Sequence, residues 1–335
     1  MPLHRILAVV LVGFSILSTV VSVLRNTPAP EAVADVNPGI PVPGLVASRG
    51  PRLLVLNLEG TIRSGDPTLS GATVVRRRLV SAAKNKDVKG VLLTINSPGG
   101  TVAASQELYR AIQAVHAAGK PVVVSMGDVA TSGGYYAASA GDVIYANPGT
   151  LTGSIGVIIS GFNAEELLKN LGIQPQTIKT GPFKDILSFS RPLTTPERDL
   201  LQGLVDDSLD QFISDIVQGR QQKPVGAFPE VISETGIRQR QALTYATVKA
   251  LADGRILTGR QAQTVGLVDV LGGYEAALQG LRFLVGDQDE KLPVGGDLPN
   301  LNRFLELLQV NGDGIDPVLK FLRDGLRQGS FLSWE

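Results

Sequence analysis

Hydrophobic positions along the chain follow three regimes. Residues 6–24, ILAVVLVGFSILSTVVSVL, form one apolar run without a charge, close to the ~20 residues a helix needs to cross a bilayer. Residues 26–50 are rich in proline, valine and alanine and have no period, which reads as a semi-extended spacer. From residue 51 short apolar runs alternate with helical patterns. RLLVLNLEG, KGVLLTINSPGG and KPVVVSMGD carry the Val, Leu and Ile of strands buried on both faces. Helical spacing over 72–84 and 103–118 separates them. DVIYANP and SIGVIIS read as further strands, AEELLKNLG as a helix, and 196–220 as the longest helix. ADGRILTGRQAQTVGLVDVLGGYEAALQGLRFLV closes this part with more helix and turns. The alternation predicts an α/β domain with largely parallel strands. The tail, 286–335, holds two amphipathic fragments, NLNRFLELLQV and DPVLKFLRDGL, and no internal repeat is visible.

Composition narrows the chemistry. With 43% hydrophobic and 19% charged residues the chain can bury a sizeable core. Its formal net charge is zero, so no bulk basic field exists to hold nucleic acid. The basic cluster Arg76, Arg77, Arg78 belongs to a helical pattern and reads as a solvated face. There is no cysteine, which removes thiol nucleophiles, disulfides and cysteine-ligated zinc together. Only two histidines occur, His4 and His116, so no imidazole-rich metal site is possible and any Ser-His-Asp triad would have to use His116. His116 ends an amphipathic helix and reads as a rim residue. NGDGID near the C-terminus lacks calcium-loop spacing and reads as a turn. Arg5 before the apolar run favours a cytoplasmic N-terminus, which puts the large domain across the membrane. The small-residue stretch Ala32-Val33-Ala34 lies far from the apolar end for a cleavage site, so an uncleaved signal anchor is the expectation.

Three stretches could carry chemistry. NSPGG, 96–100, follows a strand, and its backbone N–H groups could hold an oxyanion or simply reverse the chain. Ser132, in DVATSGGYYAASAGD, follows a strand and opens a helix. The commoner reading of such a serine is an N-cap; the other is a nucleophile beside free N–H groups and the small Gly133. The surroundings are not GxSxG, so an α/β-hydrolase elbow is not supported. KTGPFKDILS, 179–188, offers Lys184 as a base. A basic lysine has to be neutral, hence partly buried, and Phe183, Ile186 and Leu187 suit that. On spacing alone a surface lysine paired with Asp185 remains the simpler reading.

Taken together, INSPGG, TSGGYYAASAGD, LTGSIGV, TGPFKD and DGRILTGRQAQTVGLVDVLGG occur in an order and spacing that resembles the signal peptide peptidase A family over residues 52–285. These are membrane-anchored bacterial Ser-Lys peptidases with a ClpP/crotonase-like repeated ββα fold. The resemblance implies Ser132 as nucleophile, Lys184 as general base, Gly99 and Gly133 as oxyanion donors, and Ser154 as the hydroxyl that orients the lysine. It implies no cofactor or metal. It also implies a homo-oligomeric ring whose subunits share the dyad, and apolar peptides such as cleaved signal peptides as substrates. The chain then divides into an anchor at 1–25, which meets the lipid bilayer through 6–24, a linker at 26–50, a peptidase domain at 51–285 and a tail of unknown role at 286–335. Residues 221–251 look like an insertion relative to short members of the family. Rival readings are a Ser-Lys peptidase of the stomatin-associated type, an acyl-CoA-binding crotonase-type enzyme, and an inactive membrane scaffold of the same fold.

Overall fold

The short apolar runs at 52–59, 88–97 and 122–131 become strands in the computed structural model, which describes residues 50–221 and 243–295. The apolar run at 6–24, all of the spacer but Gly50, most of the insertion and the tail from 296 on lie outside the described residues, while 286–295 of the tail are described and bring in a strand that pairs with Leu53 and Leu54. In chain order the elements are β1 (Arg52–Glu59), α1 (Ala72–Lys84), β2 (Val88–Ser97), α2 (Val102–Ala117), β3 (Val122–Thr131), α3 (Gly133–Ala138), β4 (Val143–Ala146) and β5 (Leu151–Gly153). Then come α4 (Glu165–Asn170), α5 (Thr195–Gln221), α6 (Tyr245–Leu251), β6 (Ile256–Thr258), α7 (Gly259–Thr264), β7 (Val270–Leu271), α8 (Tyr274–Leu284) and β8 (Val294–Gly295). Among the described residues no helix is long and apolar enough to cross a membrane.

β1, β2 and β3 pair in parallel, as their unbroken apolar character predicts. Both faces are covered. On one face Leu54, Leu56, Leu93 and Ile95 meet the apolar stripes of α1 and α2. On the other Leu53, Leu92 and Val123 meet Ala277 and Leu281 of α8. The α1 stripe is Ala72, Val75, Leu79 and Ala82, and Arg76, Arg77 and Arg78 remain outside the core.

β3 shapes the site. Its first half, Val123–Met126, pairs with β4, whereas its second half, Val129–Thr131, pairs with β5. The β2–β3 register slips at the same place, between Ile95 and Ser97. Asn96 bridges the slip by accepting the Val129 N–H at 3.1 Å through Oδ1. The sheet thus divides along one strand, and the C-terminal ends of β2, β3 and β5 converge. One expectation fails here. SIGVIIS is not a strand, because β5 ends at Gly153 and Ser154 takes φ 49°. Ile158, 88% exposed, finds no sheet partner beyond it.

Candidate active site

Ser132 sits where β3 ends and α3 begins. Its backbone has φ 51° and ψ −119°, a region that side chains with a Cβ seldom occupy. The conformation is over-determined. Ser132 N–H donates to Gly153 O at 2.8 Å, and Ser132 O accepts from Tyr136 N at 2.8 Å. An N-cap residue normally has extended backbone and spends its side-chain oxygen on the first turn. Ser132 does neither, and its side chain makes no capping hydrogen bond. Held strain with an uncommitted hydroxyl is a signature of functional sites. The residues that follow serve packing: the large side chains of Tyr135 and Tyr136 are buried and run into the core. Tyr135 Oη donates to Leu267 O at 2.9 Å, and Tyr136 Oη donates to Asp215 Oδ2 at 2.5 Å.

The Pro-Gly-Gly turn after β2 packs directly on this serine. Gly99 has φ 97°, and a Cβ there would lie 2.7 Å from Gly133 N and 2.8 Å from Ser132 Cβ. Only glycine allows both that conformation and that approach. Ser97, fully buried, fixes the turn: its hydroxyl donates to Gly60 O at 2.6 Å and accepts the Gly99 N–H at 3.1 Å. Gly133 has the same need for smallness, since a Cβ on it would stand 2.3 Å from Ser105 Oγ. Its N–H is among the first of α3 and has no intrahelical partner. A cavity of about 100 Å³ opens beside Ser132, lined among others by Gly100, Ser105, Gly133, Tyr136, Val157 and Phe212. Phe212 of α5 stacks on Tyr136 with ring centroids 4.3 Å apart.

Ser154 lies one residue past the carbonyl that receives the Ser132 N–H. It is half-buried, and its own N–H donates to Arg255 O at 2.7 Å. Ser132, Ser154, Gly99 and Gly133 are therefore brought together by three strand ends. Lys184 is not among the residues lining the cavity. It is exposed, on a turn closed by its N–H to Gly181 O at 3.3 Å, and the partial burial expected for it is not found within one chain. The physical reason is the segment around it: no residue between Ile155 and Glu197 is buried. The expected partner of a surface lysine is also taken. Asp185 binds Lys179 Nζ at 2.6 Å and Arg191 Nη2 at 2.7 Å instead.

His116 ends α2, whose other end lines the cavity through Val102 and Ser105. At ~1.5 Å rise per residue that separates them by roughly 20 Å. Its Nδ1 lies 2.7 Å from Oδ1 of the buried Asp142, which also accepts the Val122 N–H at 2.7 Å. The imidazole thus ties α2 to β3 far from Ser132. Among the described residues no group of three or more His, Asp or Glu could hold a metal ion. Sequence reasoning missed Ser97, Ser105 and the Arg191 cluster. A legible signal existed only for one part, the Thr194-Thr195-Pro196-Glu197 stretch, which has the spacing of a capping box.

The sequence matches the profile of peptidase family S49 over residues 114–229 and 235–286, and that of Clp protease over 59–150. A Synechocystis sp. protein named as a protease, slr0021, is 42% identical over 240 residues, covering 71% of this chain and 76% of its own length. Protease 4 of Haemophilus influenzae is 32% identical and the chloroplastic serine protease SPPA of Arabidopsis thaliana 31% identical, with 71% and 84% of this chain covered. The matched part spans only 36% and 40% of those two relatives. Among solved structures a membrane-bound stomatin-specific protease aligns with a TM-score of 0.43 and 15% identity, covering 75% of this chain and 99% of that one.

Proposed function

This chain belongs to peptidase family S49 and is a serine peptidase, and on that premise we propose that Ser132 is its nucleophile and Lys184 its general base, cleaving apolar peptides. The observation that carries the reading is the strained, uncapped Ser132 at the mouth of a cavity beside Gly133 and the Gly99 turn. A neutral Lys184 takes the hydroxyl proton as Ser132 Oγ attacks a peptide carbonyl. The oxyanion falls to backbone N–H groups of Gly133 and the Gly99 turn. Gly99 N–H already donates to Ser97 Oγ, so the oxyanion competes with that hydroxyl for it, while Gly133 N–H has no such competitor in its helix. Protonated Lys184 then gives its proton to the leaving amine, and water releases the acyl group. Ser154, next to the carbonyl that holds Ser132 N–H, orients the lysine amine.

Exposure of Lys184 is what a shared site requires. In this reading Lys184 reaches the Ser132 of a neighbouring copy in a ring, and the arm from 156 to 196 is the contact surface. Its apolar residues support that: Phe162 is 76% exposed, Leu171 63% and Ile178 fully exposed. Exposed apolar patches of this extent mark association surfaces. Apolar lining from Val102, Val157, Ile158 and Phe212 around a space of about 100 Å³ suits a small apolar side chain next to the cut bond. Signal peptides left in the membrane after processing have that composition. The apolar run at 6–24 anchors the chain in a bacterial cell membrane in a single pass, N-terminus inside and peptidase domain outside.

The test is hydrolysis of a fluorogenic apolar peptide by the full-length chain, its Ser132→Ala variant and its Lys184→Ala variant, each matched for oligomer size. Both variants are expected to fall by about three orders of magnitude or more. Undiminished turnover in Lys184→Ala would place the base elsewhere.

A further inference from the structure

The turn carrying Lys184 has no buried residue to hold it, yet charges fix it to α5. Arg191 faces Asp185 with Nη2 2.7 Å from Oδ1 and Nε 3.0 Å from Oδ2. The same guanidinium meets Glu197 with Nη1 2.8 Å from Oε2 and Nη2 2.5 Å from Oε1. Glu197 in turn accepts the Thr194 N–H at 2.8 Å and its hydroxyl at 2.9 Å, which roots the cluster in the first turn of α5. Lys179 Nζ adds a second cation at Asp185 Oδ1, 2.6 Å away. Burial deepens along the chain of charges: the side chains of Arg191, Asp185 and Glu197 are 27%, 15% and 2% exposed. A double fork of this kind needs the planar five-donor head of arginine. Lys184 takes no part in it, although it is the neighbour of Asp185 in sequence.

We propose that Arg191 is a positioning residue for Lys184, occupying both oxygens of Asp185 so that this carboxylate is withheld from the Lys184 amine. The inference rests on Lys184 being the general base. Asp185 follows Lys184 directly in the chain, and an uncovered carboxylate so close in sequence favours the ammonium form of the amine; an ammonium accepts no proton from Ser132. Among the described residues, the charged groups of this cluster are Lys179, Asp185 and Arg191 from the arm itself and Glu197 from α5. Two cations therefore cover Asp185, and one carboxylate on α5 holds Arg191 in place. Losing Arg191 leaves Lys179 as the only cover, bound to a single oxygen.

The experiment is the pH profile of kcat/KM for the full-length chain, measured on wild type, Arg191→Gln, Arg191→Lys, Lys184→Ala and the double variant Asp185→Asn with Arg191→Gln. Oligomer size and melting temperature are followed in each. In Arg191→Gln the acidic limb should move to higher pH by about one unit or more, with activity regained on the alkaline side. Arg191→Lys, which covers one oxygen at a time, should move it less and in the same direction, and it carries the test if Arg191→Gln does not fold. The double variant should return the limb to its wild-type position, since no carboxylate remains to capture the amine. A purely structural role predicts a loss at every pH that the second substitution does not relieve. An unmoved limb, or a double variant that fails to restore it, overturns the role of Arg191 while an inactive Lys184→Ala leaves the base assignment standing. An active Lys184→Ala overturns both.

Discussion

Ser132 holds a φ of 51° that its side chain resists, and Gly99 is the residue that makes the strain tolerable around it. A methyl group at Gly99 would meet Gly133 N at 2.7 Å, Ser132 Cβ at 2.8 Å and Thr131 O at 2.9 Å, with the backbone at φ 97°. None of these is the far end of a flexible side chain, so relief has to come from moving Ser132 itself. Gly99→Ala is expected to cost about 1–3 kcal/mol of stability and to lower kcat by about 100-fold through misplacement of Ser132, the proposed nucleophile. Calorimetry alongside the peptide assay measures both, and a variant with wild-type kcat would sink the account. At this scale the sequence offered two readings of Ser132, cap or nucleophile. It could not choose, because capping depends on whether the serine backbone is extended. That angle is set by Gly153 O and the packing of Gly99, more than twenty residues away on either side.

α5 begins at Thr195 with a cap from Thr194 and a carboxylate from Glu197, and the two exchange hydrogen bonds. Arg191 and then the Thr194 N–H hold the Glu197 carboxyl at about 2, below its ordinary 4.5. A carboxyl lowered on folding stabilises the native state above its unfolded value, and that contribution is lost as pH falls through the folded one. Melting temperature should therefore decline between pH about 5 and about 2, less steeply in Glu197→Gln than in wild type. Equal slopes would show that the cluster contributes no acid-sensitive stability. The long helix was legible because its period is local, and so were β1, β2 and β3. SIGVIIS had equal apolar content and still forms no strand. A strand requires a neighbour to pair with, and past Gly153 the chain keeps, among the described residues, only two hydrogen bonds to the stretch before β6, Ser154 N–H to Arg255 O at 2.7 Å and Gly254 N–H to Ile155 O at 3.0 Å.

The arm between Ile155 and Glu197 has no buried residue and exposes Ile158, Phe162, Ile178 and Phe189 to solvent. Under the proposed ring, burial of that surface and completion of the site are one event, so specific activity should fall on dilution in step with dissociation. Light scattering and assay at matched concentrations test this, and a verified monomer with full activity would refute the shared site. The sequence by itself determined the α/β class, the three parallel strands and the absence of thiol chemistry, because each follows from local period or composition. Tertiary structure decided the rest. It split β3 between two partners, so that residues from 97 to 154 meet at one point. It freed the Ser132 hydroxyl from capping, and it tied His116 to Asp142 far from the cavity. It also took Asp185 away from Lys184 and gave it to Arg191. These are contacts between segments distant along the chain or choices among neighbouring charges, and only the packed backbone fixes which of them form.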